Sequence, residues 1–224
     1  MVGLQTAITP PHAPPTKEEK AKSTKLEFLL KQRSGPLLVK GFCWGAALAE
    51  AGVLVAQYSP SLPGSEFLLS TLILPGGAAE QIIPSPQFFF GAFMTAFGGL
   101  IRYKCYKALG SLFTFEMSIR RDHVLVITGP YSVVRHPAYA GILLAFGGLL
   151  LMHGSEGSWV RESGVLETVA MRVMVVLTIV LGGTIITGLL SRMSKEDEAL
   201  HQFAGKEWED WARRVPYKLI PWIY

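Results

Sequence analysis

Arginine, histidine and tyrosines crowd the run Thr128-Gly-Pro-Tyr-Ser-Val-Val-Arg-His-Pro-Ala-Tyr-Ala-Gly141, which leads straight into the apolar stretch Ile142 to Met152. Ionisable groups at the edge of an apolar span are costly to desolvate, so they mark a functional site by default. A second polar region, Ser191 to Pro221, supplies Arg192, Glu196, Asp197, Glu198, Trp208, Arg213 and Arg214. Tyr and Trp faces attract cations. Carboxylates accept from ammonium or ribose hydroxyl groups, and an arginine grips a carboxylate through two parallel bonds. Pro137 keeps Arg135-His136 from continuing as helix, and Gly141 lets the backbone approach a ligand closely. The set suits a sulfonium ligand with an amino-acid tail and a ribose. Any membrane-edge loop carries such residue types, so a purely structural cap stands open beside it.

The elements that must position these residues are apolar. The chain has 224 residues, 50% of them hydrophobic, with a mean hydropathy of +0.33. That is enough for one domain and too apolar for an ordinary soluble one. A helix crosses the hydrocarbon in about 20 residues, which predicts spans over 36–58, 88–108, 138–152 and 166–190. The third is short, covering roughly 22 Å at about 1.5 Å per residue, and is expected to draw Arg135 to Pro137 below the membrane surface. The run 67–83, broken by Pro75-Gly76-Gly77, reads as an interfacial or re-entrant piece and becomes a fifth span if it crosses.

The fold expected is therefore all-α, a polytopic membrane helix bundle over 36–224. A cap over it is formed by the 110–137 loop and the C-terminal helical segment 191–224. Lys and Arg cluster before the first span, from Arg102 to Arg135 and after Leu190, and are absent between Ser59 and Gln87. Basic residues favour the cytosolic side, so both termini are expected there. Residues 1–35 read as a flexible cytosolic tail without the apolar core of a cleaved signal peptide.

Gly41, Gly45 and Ala49 form a small-residue stripe suited to close helix packing, and Glu50 is expected to face a polar cavity or to pair with Arg172 or another basic group. Cys43 and Cys105 read as buried thiols, with no metal site or disulfide implied. The net charge of +4 is modest and no nucleic-acid motif is present.

Three blocks carry a resemblance. Asp122-His-Val-Leu-Val-Ile-Thr-Gly-Pro-Tyr131, Arg135-His-Pro-Ala-Tyr-Ala-Gly141 and Arg192-Met-Ser-Lys-Glu-Asp-Glu-Ala-Leu200, followed by Trp208 and Val215-Pro-Tyr-Lys-Leu-Ile-Pro221, resemble the isoprenylcysteine carboxyl methyltransferase family. Phospholipid N-methyltransferases share part of the pattern. The resemblance implies S-adenosylmethionine in a cytosol-facing cap and a prenylated C-terminal cysteine entering from the lipid bilayer. It also implies an endoplasmic reticulum membrane. It places His123, Leu125, Val126, Gly129, Tyr131, His136, Tyr139, Gly141, Glu196 and Asp197 around the cofactor. Three positions depart from the usual pattern: Asp197 stands where the family has Glu, Ala204 where it has Phe, and Trp208 where it has Tyr.

A carboxylate acceptor needs no strong base, so the protein's part is alignment and electrostatics. Arg135 and Arg192 are the candidates to hold it. The rivals are methylation of a phosphatidylethanolamine-type amine, which needs a proton acceptor, and a non-catalytic lipid- or cofactor-binding protein.

Overall fold

The computed structural model describes residues 1–9, 34–113 and 124–224. Among them are eight α-helices and no strand. We number them α1 (Val2–Ile8), α2 (Ser34–Tyr58), α3 (Ser65–Leu72), α4 (Pro86–Leu109), α5 (Pro137–Gly154), α6 (Trp159–Glu162), α7 (Val169–Ala204) and α8 (Lys206–Arg214).

Three stretches are long and apolar enough to cross a membrane: Leu37–Tyr58, Pro137–Glu162 and Val169–Ala204. The expected span over 88–108 falls inside α4, a helix of 24 residues. It is long enough, but Arg102, Lys104 and Lys107 in its second half keep it off that set. The 67–83 run does not supply a fifth span. Its helix, α3, has eight residues, and eight residues rise only about 12 Å.

The pair α4 and α5 forms the centre. The helices run antiparallel and touch backbone to backbone, because Gly91 and Gly98 of α4 face Gly148 and Gly141 of α5. A Cβ at Gly141 would lie 2.8 Å from the Gly98 carbonyl oxygen, so only glycine permits this approach. Thr95, fully enclosed between them, hydrogen-bonds the Ala145 carbonyl at 3.3 Å. The expected stripe on α2 plays no such part: Gly41 and Gly45 are exposed, and a Cβ at either would meet nothing within 4 Å. Val39, Cys43, Ala46, Ala49 and Val53 form the buried face of α2 instead. Their larger side chains bury more apolar area than glycine can.

The end of the bundle away from the 129–137 segment is closed by Ala46, Ala49, Val53, Ile82, Trp159, Val160 and Val165. The indole of Trp159 donates to the Leu72 carbonyl at 2.9 Å and so ties α6 to α3. Glu50 lies on the buried face of α2, 2% exposed. Its expected partner, Arg172, pairs with Glu167 at 3.8 Å, and both Glu50 oxygens lack a hydrogen-bond partner among the described residues.

Two boundaries differ from expectation. Residues 2–8, expected to belong to a flexible tail, form α1, which lies along α4 with Gly3 against Gly99 and Leu4 only 2% exposed. Small residues on both sides make that contact close. The fourth expected span does not stop at Leu190 either: α7 continues without a break to Ala204, a length of about 54 Å for its 36 residues. No glycine or proline interrupts Ser191–Ala204, and Gly205, at φ 52, ends the helix. The C-terminal segment therefore begins as a polar extension of a span. Helix α5 is also longer than 138–152, at 18 residues or about 27 Å, close to the hydrocarbon thickness. No shortfall in its length therefore draws Arg135 to Pro137 below the membrane surface.

Candidate methyl-transfer site

The start of α5 and the extension of α7 meet through side chains. Pro137 occupies the first helical turn of α5 and His136, outside helical geometry at φ −121 and ψ 57, is its N-cap, so the chain turns sharply into the helix. Two backbone bonds hold that entry: the Arg135 N–H donates to the Tyr217 carbonyl at 2.9 Å and the His136 N–H to the Lys218 carbonyl at 2.7 Å. Pro216 ends any continuation of α8 and frees these carbonyls from helical pairing. Trp211 of α8, 2% exposed, donates its indole N–H to the Tyr131 carbonyl at 3.0 Å. The 129–132 turn and the C-terminal segment are thereby fastened to each other.

Tyr139 is the centre of the first network. Its hydroxyl donates to Glu196 Oε2 at 2.6 Å and accepts from Arg192 Nε at 3.0 Å and Nη2 at 2.7 Å. Arg192 and Glu196, one helical turn apart on α7, thus share one phenol from α5. Asp197 is the centre of the second. It meets His136 Nε2 at 3.1 Å, Arg135 Nη2 at 3.4 Å and Lys218 Nζ at 3.9 Å. The rings of His136 and Tyr139 stack at 5.4 Å and 6°, and Arg135 lies over the Trp208 ring at 5.6 Å. Charge-assisted bonds of this kind are strong where water is excluded, and Arg192, His136 and Asp197 are all buried.

The other sequence candidates have different surroundings. Tyr131 packs with Cys105, Tyr106, Phe113 and Trp211, and Leu125 and Val126 lie against the same cluster. Burial holds its hydroxyl well above the ordinary phenol range, so it remains neutral. Gly129 is exposed and starts its turn at φ 62. Gly141 faces Gly98 and Arg102 of α4, where its small size serves helix packing. His123 lies outside the described residues.

Residue-type reasoning overlooked Lys218 and Arg102. Arg102, 2% exposed, donates from Nη1 to the Ala138 carbonyl at 2.9 Å, and from Nε to Tyr106 Oη at 3.0 Å. An arginine following Phe97-Gly-Gly-Leu-Ile101 carried the signal, since an ionisable group in an apolar run marks a functional or structural partner. Counting it with the basic residues of the cytosolic side hid that signal. Lys218 offered none, because its link to Asp197 joins distant parts of the chain.

A helical, membrane-type bundle with an Arg-Tyr-Glu and His-Asp-Arg cluster at one end defines the class of protein. The sequence model of the isoprenylcysteine carboxyl methyltransferase (ICMT) family matches residues 91–202, half of the chain and the part that builds the cluster. The chain belongs to that family. It is 30% identical over 153 residues to protein-S-isoprenylcysteine O-methyltransferase B of Arabidopsis thaliana, covering 67% of this chain and 66% of that one. A probable protein-S-isoprenylcysteine O-methyltransferase of Oryza sativa subsp. indica is 30% identical over 137 residues, covering 60% and 61%. The protein-S-isoprenylcysteine O-methyltransferase of Dictyostelium discoideum is 28% identical over 136 residues, covering 60% and 49%. The chain thus spans slightly under two thirds of the first relative's length and half to three fifths of the others'. No solved structure matches it.

Proposed function

We propose that the protein transfers a methyl group from S-adenosylmethionine to the C-terminal carboxylate of a prenylated cysteine. The observation that carries this reading is the bridge Arg192–Tyr139–Glu196, which joins the first turn of one apolar helix to the polar extension of another. Names of the relatives point the same way. We place the protein in the endoplasmic reticulum membrane with both termini cytosolic, which follows the distribution of basic residues and the family.

The donor and acceptor set fits the cofactor. Glu196 is partly exposed and able to accept from an ammonium or a ribose hydroxyl, beside a wall of rings in which His136 stacks on Tyr139 and Trp208 carries Arg135. Together with the 123–131 segment, these residues would hold it. When bound, it supplies an electrophilic methyl group on a sulfonium.

The residues of the chain do the rest by position. A carboxylate is already ionised at neutral pH, so the guanidinium groups of Arg135 and Arg192 orient it without a proton having to move. Both arginines are tethered, to Asp197 and Tyr139, which limits how strongly they neutralise the acceptor. That balance matters, because ground-state binding alone does not lower the barrier. The buried cluster also limits water, and a reaction that annihilates opposite charges gains from a drier site. Amine methylation fits less well. It needs a proton acceptor, whereas Asp197 is shared among His136, Arg135 and Lys218, and Glu196 is given over to the cofactor in this reading.

The test is to incubate the purified protein with labelled S-adenosylmethionine and farnesyl- or geranylgeranyl-cysteine, or with phosphatidylethanolamine. A base-labile methyl ester on the cysteine is expected. A methylated head group in its place, or no product from either acceptor, overturns the reading.

A further inference from the structure

We infer that Arg135 and Trp208 form a subsite for a ligand carboxylate, an assignment that rests on the methyl-transfer reading above. Arg135 Nε and Trp208 Nε1 are both shielded from solvent and lack an acceptor among the described residues. They belong to one contact, since the Arg135 guanidinium lies 5.6 Å from the Trp208 ring centroid. Buried donors in folded proteins are nearly always partnered, and neither of these groups can accept in place of donating. Two orphan donors on side chains in contact call for a ligand that only accepts.

The carboxylates of the chain do not fill this role. Glu196 Oε2 receives the Tyr139 hydroxyl at 2.6 Å. Asp197 is divided among His136, Arg135 and Lys218, and its link to Arg135 runs through Nη2 at 3.4 Å. That is longer than a well-formed charge-assisted bond and leaves Nε unused. The charge balance agrees. Arg135, Arg192 and Lys218 face Glu196 and Asp197, so the arginines and lysine outnumber the carboxylates by one. A monoanion with two accepting oxygens meets both demands, and the indole lies against the guanidinium while contributing a donor of its own.

Both reactants in the proposed chemistry carry such a group, one on the amino-acid tail of the methyl donor and one on the prenylated cysteine. The full chain in detergent or nanodiscs would be titrated with S-adenosylhomocysteine and with N-acetyl-S-farnesylcysteine. Each acid is run beside a counterpart without a free carboxylate, methylthioadenosine and the farnesylcysteine methyl ester. Trp208→Phe keeps a ring under Arg135 and deletes the N–H, Trp208→Tyr returns a donor, and Arg135→Lys keeps the charge but removes Nε.

Trp208→Phe and Arg135→Lys are each expected to weaken one of the two acids about tenfold, as for loss of a hydrogen bond to a charged group. Its carboxylate-free counterpart should be unaffected, and Trp208→Tyr should recover part of the loss. Weakened S-adenosylhomocysteine assigns the subsite to the methyl donor, and weakened farnesylcysteine assigns it to the acceptor. Unchanged binding of both acids in the two variants, or equal losses for the carboxylate-free counterparts, overturns the subsite alone. A wild-type protein that binds none of the four ligands overturns the methyl-transfer reading, and the subsite with it.

Discussion

Arg102 of α4 donates to the carbonyl of Ala138 in α5 at 2.9 Å, and so holds the helix turn that lies between His136 and Tyr139. The same guanidinium reaches Tyr106, whose hydroxyl donates onward to the Thr6 carbonyl of α1 at 2.8 Å. The chain Thr6–Tyr106–Arg102–Ala138 thus connects three helices behind the cluster, without contributing a side chain to it.

Replacing Arg102 removes a buried, charge-assisted donor from two acceptors. Arg102→Leu is expected to destabilise the fold by about 1.5–3 kcal/mol. Arg102→Lys, which reaches only one of the acceptors, should lie between leucine and wild type. Thermal unfolding in detergent checks the order, and equal melting temperatures for wild type and Arg102→Leu would refute it.

Tyr139→Phe keeps the ring stacked on His136 and deletes the hydroxyl shared by Arg192 and Glu196. Losing a bond to a charged group corresponds to about 1.5–3 kcal/mol. Methyl transfer is therefore expected to fall about 10- to 100-fold while the protein stays folded. Single-turnover kinetics with saturating acceptor would measure it, and a rate within twofold of wild type would show that the bridge does not matter.

Asp197 is the common partner of His136, Arg135 and Lys218. Asp197→Ala leaves charges unpaired in a buried setting, a change that costs about 3–5 kcal/mol. Asp197→Asn, which retains acceptor oxygen and shape, should cost less. Denaturation curves would separate them, with alanine expected to be the worse by a clear margin.

Two glycine substitutions should diverge. Gly141→Ala places a carbon against the Gly98 carbonyl and Arg102, where overpacking costs about 1–3 kcal/mol. Gly45→Ala meets nothing within 4 Å and replaces a poor helix former, so it should be neutral or slightly stabilising. Comparable losses of melting temperature in both variants would contradict the observed packing.

Much of this protein is written into residue order. Apolar length marks α2, α5 and α7, because crossing or burial demands a run of nonpolar side chains whatever surrounds it. The blocks around Arg135-His136 and Arg192–Asp197 flagged the site for a related reason. Ionisable and aromatic groups at the ends of apolar helices are seldom left there without partners.

Pairing was decided in three dimensions. Nothing in the order of residues says that Tyr139 bridges Arg192 to Glu196, or that Lys218 closes on Asp197, since each link joins segments far apart in the chain. Small residues misled for the same reason: Gly41 and Gly45 have the spacing of a packing stripe yet face outward, while Gly98 and Gly141 press two backbones together. Whether a glycine is an interface depends on what stands opposite it, and Glu50, separated from Arg172, makes the same point for charge. Local composition determines which segments become helices and which groups are costly to bury. Only tertiary packing determines which of those groups meet, because that depends on how the helices pack and not on their sequence spacing.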